Sequence, residues 1–76
     1  MEHLELKFTV LIEANGEGGY TITVPSLPGC VTQGDTLEEA IENVREAIAE
    51  YIETLKILGK PIPLEVSIEI GSGAVL

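Results

Sequence analysis

The sequence predicts an α+β domain of order β-β-β-α-β, with a mostly antiparallel sheet and one long helix packed on one of its faces. Alternating apolar and polar residues before position 35 indicate strands. Tight turns rich in Gly and Pro join these strands, which favours antiparallel neighbours. A long stretch after position 36 has apolar residues at helical spacing. With 76 residues, the chain is predicted to form one domain, residues 1–76.

The first strand is predicted over Leu4–Glu13, where apolar and polar residues alternate. Such alternation is typical of a strand with one buried and one wet face. The apolar face comprises Leu4, Leu6, Phe8, Val10 and Ile12. Leu11 interrupts the polar face, so we expect it to meet a partner or a neighbouring chain.

The second strand is predicted over Gly19–Val24 and a short third strand over Cys30–Gln33. Asn15–Gly19 is rich in residues that accept positive φ, which predicts a hairpin turn between the first two strands. Three strands with such short connections form an antiparallel meander.

The turn between the second and third strands carries two prolines. Pro25 and Pro28 each fix φ and lack an N–H, so the strand cannot continue through them. We expect this rigid turn to expose Leu27 between the prolines, which makes Leu27 and Pro28 candidate partner-binding residues. The alternative is that the turn only positions the third strand.

The helix is predicted to run from about Leu37 to Leu58. Thr36 occupies the N-cap position with Glu39 three residues later, which is the pattern of a capping box. Gly34 is expected to provide an unusual backbone angle just before the helix. Gly59 is expected to end the helix as its C′ residue.

Projected at about 100° per residue, the helix has an apolar stripe and an opposite acidic ridge. Like charges four residues apart mildly destabilise a helix, so the ridge favours a basic partner over water alone. We define the acidic ridge by its five candidate partner-binding residues, Glu38, Glu42, Glu46, Glu50 and Glu53.

The helix is long for a sheet of three short strands, so Tyr51–Leu58 is expected to need cover from elsewhere. A fourth strand is predicted at Leu64–Ile70, either in the same sheet or exchanged with another protomer. One cysteine and no Cys/His ligand set leave oligomerisation as the remaining way to stabilise so small a core, so we expect a homodimer or larger assembly. The candidate oligomer interface comprises Leu11, Tyr51, Leu55, Leu58, Val66 and Ile68.

The net charge of −9 argues against direct nucleic-acid binding by this chain, because phosphate binding needs Lys and Arg. The same negative charge is compatible with a basic protein partner. The chain has no apolar run of the roughly 20 residues that a membrane span needs, and its N-terminus does not resemble a signal peptide. The lone thiol fits a reducing compartment, so we expect a cytoplasmic protein.

The stretch Gly18–Ala40 follows the pattern GGY-x-x-x-x-P-x-L-PGC-x-T-x-GDT-x-x-EA and resembles the core signature of the HicB-type antitoxin family. The similarity runs from Phe8 to about Pro61. It implies a partial RNase H-like fold with the fourth strand parallel to the first. It also implies a function: covering HicA, a small basic RNA-cleaving toxin, so that its catalytic histidine is blocked.

We expect this chain to depart from the family in one respect, and an alternative function is also open. Full antitoxins of the family usually carry a C-terminal DNA-binding segment, and we expect this chain to be a single-domain member without it. The alternative function is an orphan homo-oligomeric scaffold or small-ligand-binding protein that has no toxin partner.

An enzymatic role is not expected, nor is a cofactor or metal. His3 is close to the terminus and lacks an orienting group, and Cys30 has no histidine near it in sequence. Glu5, Glu13 and Glu69 are the only candidate carboxylates for the sheet face, and no convergence point is predicted for them. A nuclease-like fold does not by itself imply nuclease activity.

Overall fold

A computed structural model describes residues 6–65 and 68 of the chain. Within that part, three antiparallel strands precede one long helix, in the order β1 (Leu11–Ala14), β2 (Tyr20–Thr23), β3 (Val31–Gly34) and α1 (Leu37–Leu58). The strands form a meander with sheet order β1-β2-β3. This architecture confirms the α+β prediction, and the helix has the bounds that its sequence pattern predicts. The predicted fourth strand falls largely on residues 66, 67, 69 and 70, which lie outside the described residues.

The register is set by two tight connections. Leu11 pairs with Thr23 in the first ladder, and Thr23 pairs with Val31 in the second. The observed second and third strands differ from the predicted ones by one residue at their ends, within the usual uncertainty of strand bounds.

The first strand is shorter than predicted, because it begins at Leu11 and not at Leu4. In the observed register, Thr9 would lie opposite Pro25. Proline has no N–H to give to a ladder, so β2 stops at Thr23 and β1 has nothing to pair with before Leu11. The described residues 6–10 therefore carry no regular strand.

The core lies between the sheet and the helix and is small. Six of the described residues are buried in it, namely Ile22, Val24, Leu27, Cys30, Ala40 and Val44. Partly buried apolar side chains pack around them, namely Phe8, Val10, Tyr20, Ile41, Ala47, Ile48 and Tyr51.

The helix packs chiefly on β3 and less on β2, so β1 lies to one side of it. The prediction that all alternate residues of the first strand are buried is therefore only half right. Phe8 and Val10 do pack on the core, whereas Leu6 and Ile12 are exposed.

Gly34 is needed for space and not for an unusual backbone angle. Its φ is not among the positive values, which occur at other glycines. A Cβ at this position would lie 2.7 Å from the Cα of Ala40 and 2.9 Å from the carbonyl carbon of Glu39. The end of β3 and the first turn of α1 therefore approach as closely as backbones can, and only glycine fits between them.

Candidate protein-binding surface

The acidic ridge is positioned by the two caps of its helix. The Thr36 hydroxyl accepts the N–H of Glu39 at 3.0 Å, which confirms the predicted N-cap. The Glu39 carboxylate accepts the N–H of Asp35 at 2.6 Å, one residue before the position that an ordinary capping box uses. At the other end Gly59 adopts a left-handed conformation with φ of 70°. The N–H of Gly59 donates to the Lys56 carbonyl, and the N–H of Lys60 donates to the Leu55 carbonyl. These two bonds confirm the predicted C-terminal glycine cap.

All five glutamates of the acidic ridge are exposed. Four of them lie on the side of the helix opposite the buried Ala40 and Val44, as the projection predicts, and Glu50 lies on the flank that faces β3. Their identity as partner contacts remains a prediction.

The proline loop, residues 25–29, consists of two successive β-turns. The N–H of Leu27 donates to the Val24 carbonyl at 3.0 Å, and the N–H of Cys30 donates to the Leu27 carbonyl at 2.9 Å. Each turn places a proline at its second position, where the fixed φ of proline is favourable. Gly29 supplies the positive φ of 84° that the second turn requires. The loop is therefore rigid, as predicted.

The prediction that this loop exposes Leu27 is wrong, because Leu27 is 0% exposed. The two turns fold the chain back on itself, so the side chain between them points into the core beside Val24 and Cys30. Burying a leucine is favourable by about 1.5–3 kcal/mol, and this core has few large side chains to fill it. Pro28 is exposed, and its carbonyl accepts the Tyr51 hydroxyl at 2.8 Å. The loop is thus joined to the helix at its outer end.

Glu65 binds the proline loop from the far end of the chain. Its carboxylate accepts the Ser26 hydroxyl at 2.6 Å and the N–H of Thr9 at 2.9 Å. These hydrogen bonds, first from Ser26 and then from Thr9, lower the pKa of the Glu65 carboxyl. Thr9 would lie opposite Pro25, where β2 has already turned into the proline loop, so the Glu65 carboxylate accepts the Thr9 N–H in place of a carbonyl of β2.

A groove of about 470 Å³ lies where the second half of the helix passes the start of β3. Val31 lines it from the strand, and Tyr51, Leu55 and Leu58 line it from the helix. Glu50 of the acidic ridge and Lys60 also line it. We call this space the β3 groove.

The structure thus brings some of the predicted residues together and separates others. Tyr51, Leu55 and Leu58 share the β3 groove with Glu50, whereas Leu11 does not line it. Leu11 pairs with Thr23 on the sheet face opposite the buried Ile22 and is 56% exposed. Ile68 is exposed, and Val66 lies outside the described residues.

The exposed end of the helix agrees with the prediction that the sheet is too small to cover it. Leu58 is 60% exposed and Ile57 is 74% exposed. Strands of four residues span about 13 Å, whereas a 22-residue helix is on the order of 33 Å long.

Two residues of this surface were not found from the sequence. Asn43 donates through its side-chain amide to the Gln33 carbonyl at 2.7 Å, which fastens the helix to β3. Glu65 was predicted only as a polar residue of a fourth strand. The end of β2 before Pro25 indicates that the facing chain loses its ladder partners there, but it does not indicate which residue replaces them.

The described residues contain no group of three or more His, Cys, Asp or Glu side chains that could hold a metal ion. Cys30 is buried, and burial raises the pKa of its thiol, so the unreactive protonated form is favoured. No helix in the described part of the chain is both long and apolar enough to cross a membrane.

Three antiparallel strands beneath one long helix, with carboxylates along its outer side, define a small α+β domain with an acidic surface. The family described as "HicB_like antitoxin of bacterial toxin-antitoxin system" matches residues 8–72. The chain belongs to this HicB-like antitoxin family.

Individual relatives agree with this assignment. A UPF0150 protein of Thermoplasma acidophilum is 48% identical over 65 residues, which cover 86% of this chain and 94% of the relative. Antitoxin HicB 1 of Photorhabdus laumondii is 37% identical over 59 residues, which cover 78% of this chain but 38% of that longer protein. The crystal structure of the N-terminal domain of Burkholderia pseudomallei antitoxin HicB superimposes with a TM-score of 0.71 at 36% identity, covering 80% of this chain and 72% of that one.

Membership supports an antitoxin role, in which these proteins act without catalysis, and therefore a toxin as partner in general terms. This agrees with the expectation that the chain is not an enzyme.

Proposed function

We propose that this chain is an antitoxin that covers a basic HicA-type RNA-cleaving toxin with the acidic ridge of its helix. The observation that carries the proposal is the exposure of all five ridge glutamates along one side of a well-capped helix. A ridge of this kind attracts a cationic protein and speeds the encounter with it.

The acidic ridge does not stabilise the helix that carries it. Glu38, Glu42, Glu46 and Glu50 follow one another at intervals of four residues, and each like-charge pair costs a helix roughly 0.2–0.5 kcal/mol. A solvent-exposed helix that served only solubility would be more stable with Lys interleaved among the Glu. The repulsion is offset when a cationic surface covers the ridge.

The double substitution Glu42→Lys/Glu46→Lys tests this proposal. We expect about tenfold weaker binding to a HicA-type toxin co-expressed from a neighbouring gene, together with a weaker dependence of binding on salt. The helix should remain folded, because the substitutions remove like-charge pairs. Binding would be measured by titration calorimetry at two salt concentrations, with circular dichroism to verify folding.

The matched control is Glu13→Lys/Glu17→Lys, which changes the net charge by the same amount on β1 and the hairpin turn. Both of these glutamates are exposed and lie away from the helix. Binding that survives the helix reversal would refute the ridge as the contact. An equal loss in both double variants would show that total charge matters and not the ridge.

A homo-oligomer is the second proposal, and the exposed apolar residues favour it. Ile57, Leu58, Leu64 and Ile68 are each at least 60% exposed. Single exposed apolar residues are ordinary, but four of them on so small a domain favour further burial. Light scattering of the purified chain would give its mass, and a stable monomer at micromolar concentration would contradict this proposal. An oligomer that binds no toxin would favour the orphan scaffold.

A further inference from the structure

The outer edge of β3 carries backbone groups that the sheet does not use. The N–H of Val24 donates to the Cys30 carbonyl at 3.0 Å, which fixes the alternation of the β2–β3 ladder. In an antiparallel pair, every second residue directs its N–H and C=O to the neighbouring strand. Thr32 and Gly34 therefore face β2, whereas Val31 and Gln33 face outward. No described strand lies on that side of β3.

One of the outward groups already has a partner, since the Gln33 carbonyl accepts the Asn43 side chain at 2.7 Å. The N–H and C=O of Val31 and the N–H of Gln33 have no partner among the described residues. Edge strands of this kind pair readily with another extended chain unless they are covered. The Val31 end of this edge is open, and Val31 is 52% exposed.

The β3 groove lies at the same end of the edge. Val31 contributes its wall on the strand side, and Tyr51, Leu55 and Leu58 contribute the apolar wall on the helix side. An added strand would direct alternate side chains towards the helix. Val31 pairs with Thr23 on the face away from the helix, so the side chain that an added strand places beside Cys30 would face the helix and enter the groove.

The acidic residues beside the β3 edge indicate what kind of strand can bind there. Asn43 reaches the edge from one flank of the helix, and Glu46 and Glu50 follow it on that flank at spacings of three and four residues. Two copies of β3 paired antiparallel would place both helices on one face of the joined sheet, with these acidic flanks opposed. Such an arrangement repels, whereas a strand that carries Lys or Arg is attracted.

We propose that the edge of β3 binds an extended basic strand of the partner and so lengthens the sheet by one strand. An apolar side chain of that strand occupies the β3 groove, and its cationic side chains meet Glu46 and Glu50. This inference rests on the proposed function, because it names the part of a toxin-like basic protein that makes the contact. Backbone hydrogen bonds provide affinity in this mode of binding, and the groove provides selectivity.

The test compares Val31→Pro with Val31→Thr in the full chain. Proline removes the outward N–H of Val31 and is tolerated on an edge strand where that N–H faces solvent. Threonine keeps the N–H and a β-branched side chain, so it is the matched control. Hydrogen exchange and thermal melting of both variants would show that the sheet is intact.

The first probe is an acetylated, amidated peptide of sequence KTVTKTV, in which Lys and Val share one face of the strand, added to isotope-labelled protein. We expect it to shift the amide signals of Val31 and Gln33 in the wild type and in the threonine variant. Binding to Val31→Pro should be at least about tenfold weaker, the factor that corresponds to 1.4 kcal/mol. The peptide ETVTETV should not bind. Peptide shifts confined to other parts of the protein, or equal binding by the proline variant, would overturn the proposal.

The second probe is the co-expressed HicA-type toxin, which separates this inference from the proposed function. If wild type and Val31→Pro bind the toxin equally, the function stands and the edge is wrong. If neither binds the toxin while the peptide still selects the β3 edge, the proposed partner is wrong and the edge stands. Loss of toxin binding in Val31→Pro alone supports both.

Discussion

Alanine at position 34 should cost this protein about 3 kcal/mol or more of its free energy of unfolding, or prevent folding altogether. The added methyl group would lie 2.7 Å from the Cα of Ala40 and 2.9 Å from the carbonyl carbon of Glu39. These are backbone atoms in the first turn of the helix, so no side chain can rotate away to make room. The helix would have to withdraw from β3, on which most of its packing depends. Chemical denaturation followed by circular dichroism would measure the loss.

Gly16→Ala provides the control for this prediction. A Cβ at Gly16 would meet nothing within 4 Å, and its φ is not among the positive values. The substitution should leave stability unchanged or raise it by up to about 1 kcal/mol, because alanine restricts the unfolded chain. A Gly34→Ala protein as stable as Gly16→Ala would show that β3 and α1 are not in close backbone contact.

Leu27→Ala should be the second most damaging change, with a loss of about 2–5 kcal/mol. Leu27 is 0% exposed and is one of six buried residues in the described part of the chain, so its truncation leaves a cavity in a core with little material to fill it. The rigid turns on either side prevent the loop from collapsing into that cavity. The measurement is again the free energy of unfolding.

Leu64→Ala is the matched control, since Leu64 is 75% exposed. That change should alter stability by no more than about 0.5 kcal/mol. If Leu27→Ala were equally mild, Leu27 would have to lie at the surface, as its position between two prolines first suggests.

The parts of the fold that local sequence determines were predicted well. Thr36 caps the start of the helix and Gly59 caps its end, each through hydrogen bonds to residues close by in sequence. The bounds of the helix can therefore be predicted without knowing the rest of the fold. The order of the meander follows from its two short connections. The acidic ridge follows from the helical period alone.

The parts that depend on distant residues were predicted poorly. The start of β1 is set by Pro25 on the neighbouring strand, which cannot be known before the register is known. Prolines indicate that the loop is rigid, but the direction of Leu27 depends on where the helix lies. The β3 groove exists only because helix and strand are placed side by side, so no single stretch of sequence indicates it.

The Glu65 carboxylate has a consequence for the order in which the molecule forms and opens. It accepts hydrogen bonds from Ser26 and Thr9, which precede it by 39 and 56 positions in sequence. The hairpin and the helix, in contrast, form through contacts between near neighbours. Contacts that require a large loop form late, after local structure exists to receive them. We therefore expect the segment that carries Glu65 to dock last, onto a sheet and a helix that have already formed. None of the buried core residues lies in this segment, so we expect it to open before the core in partial unfolding.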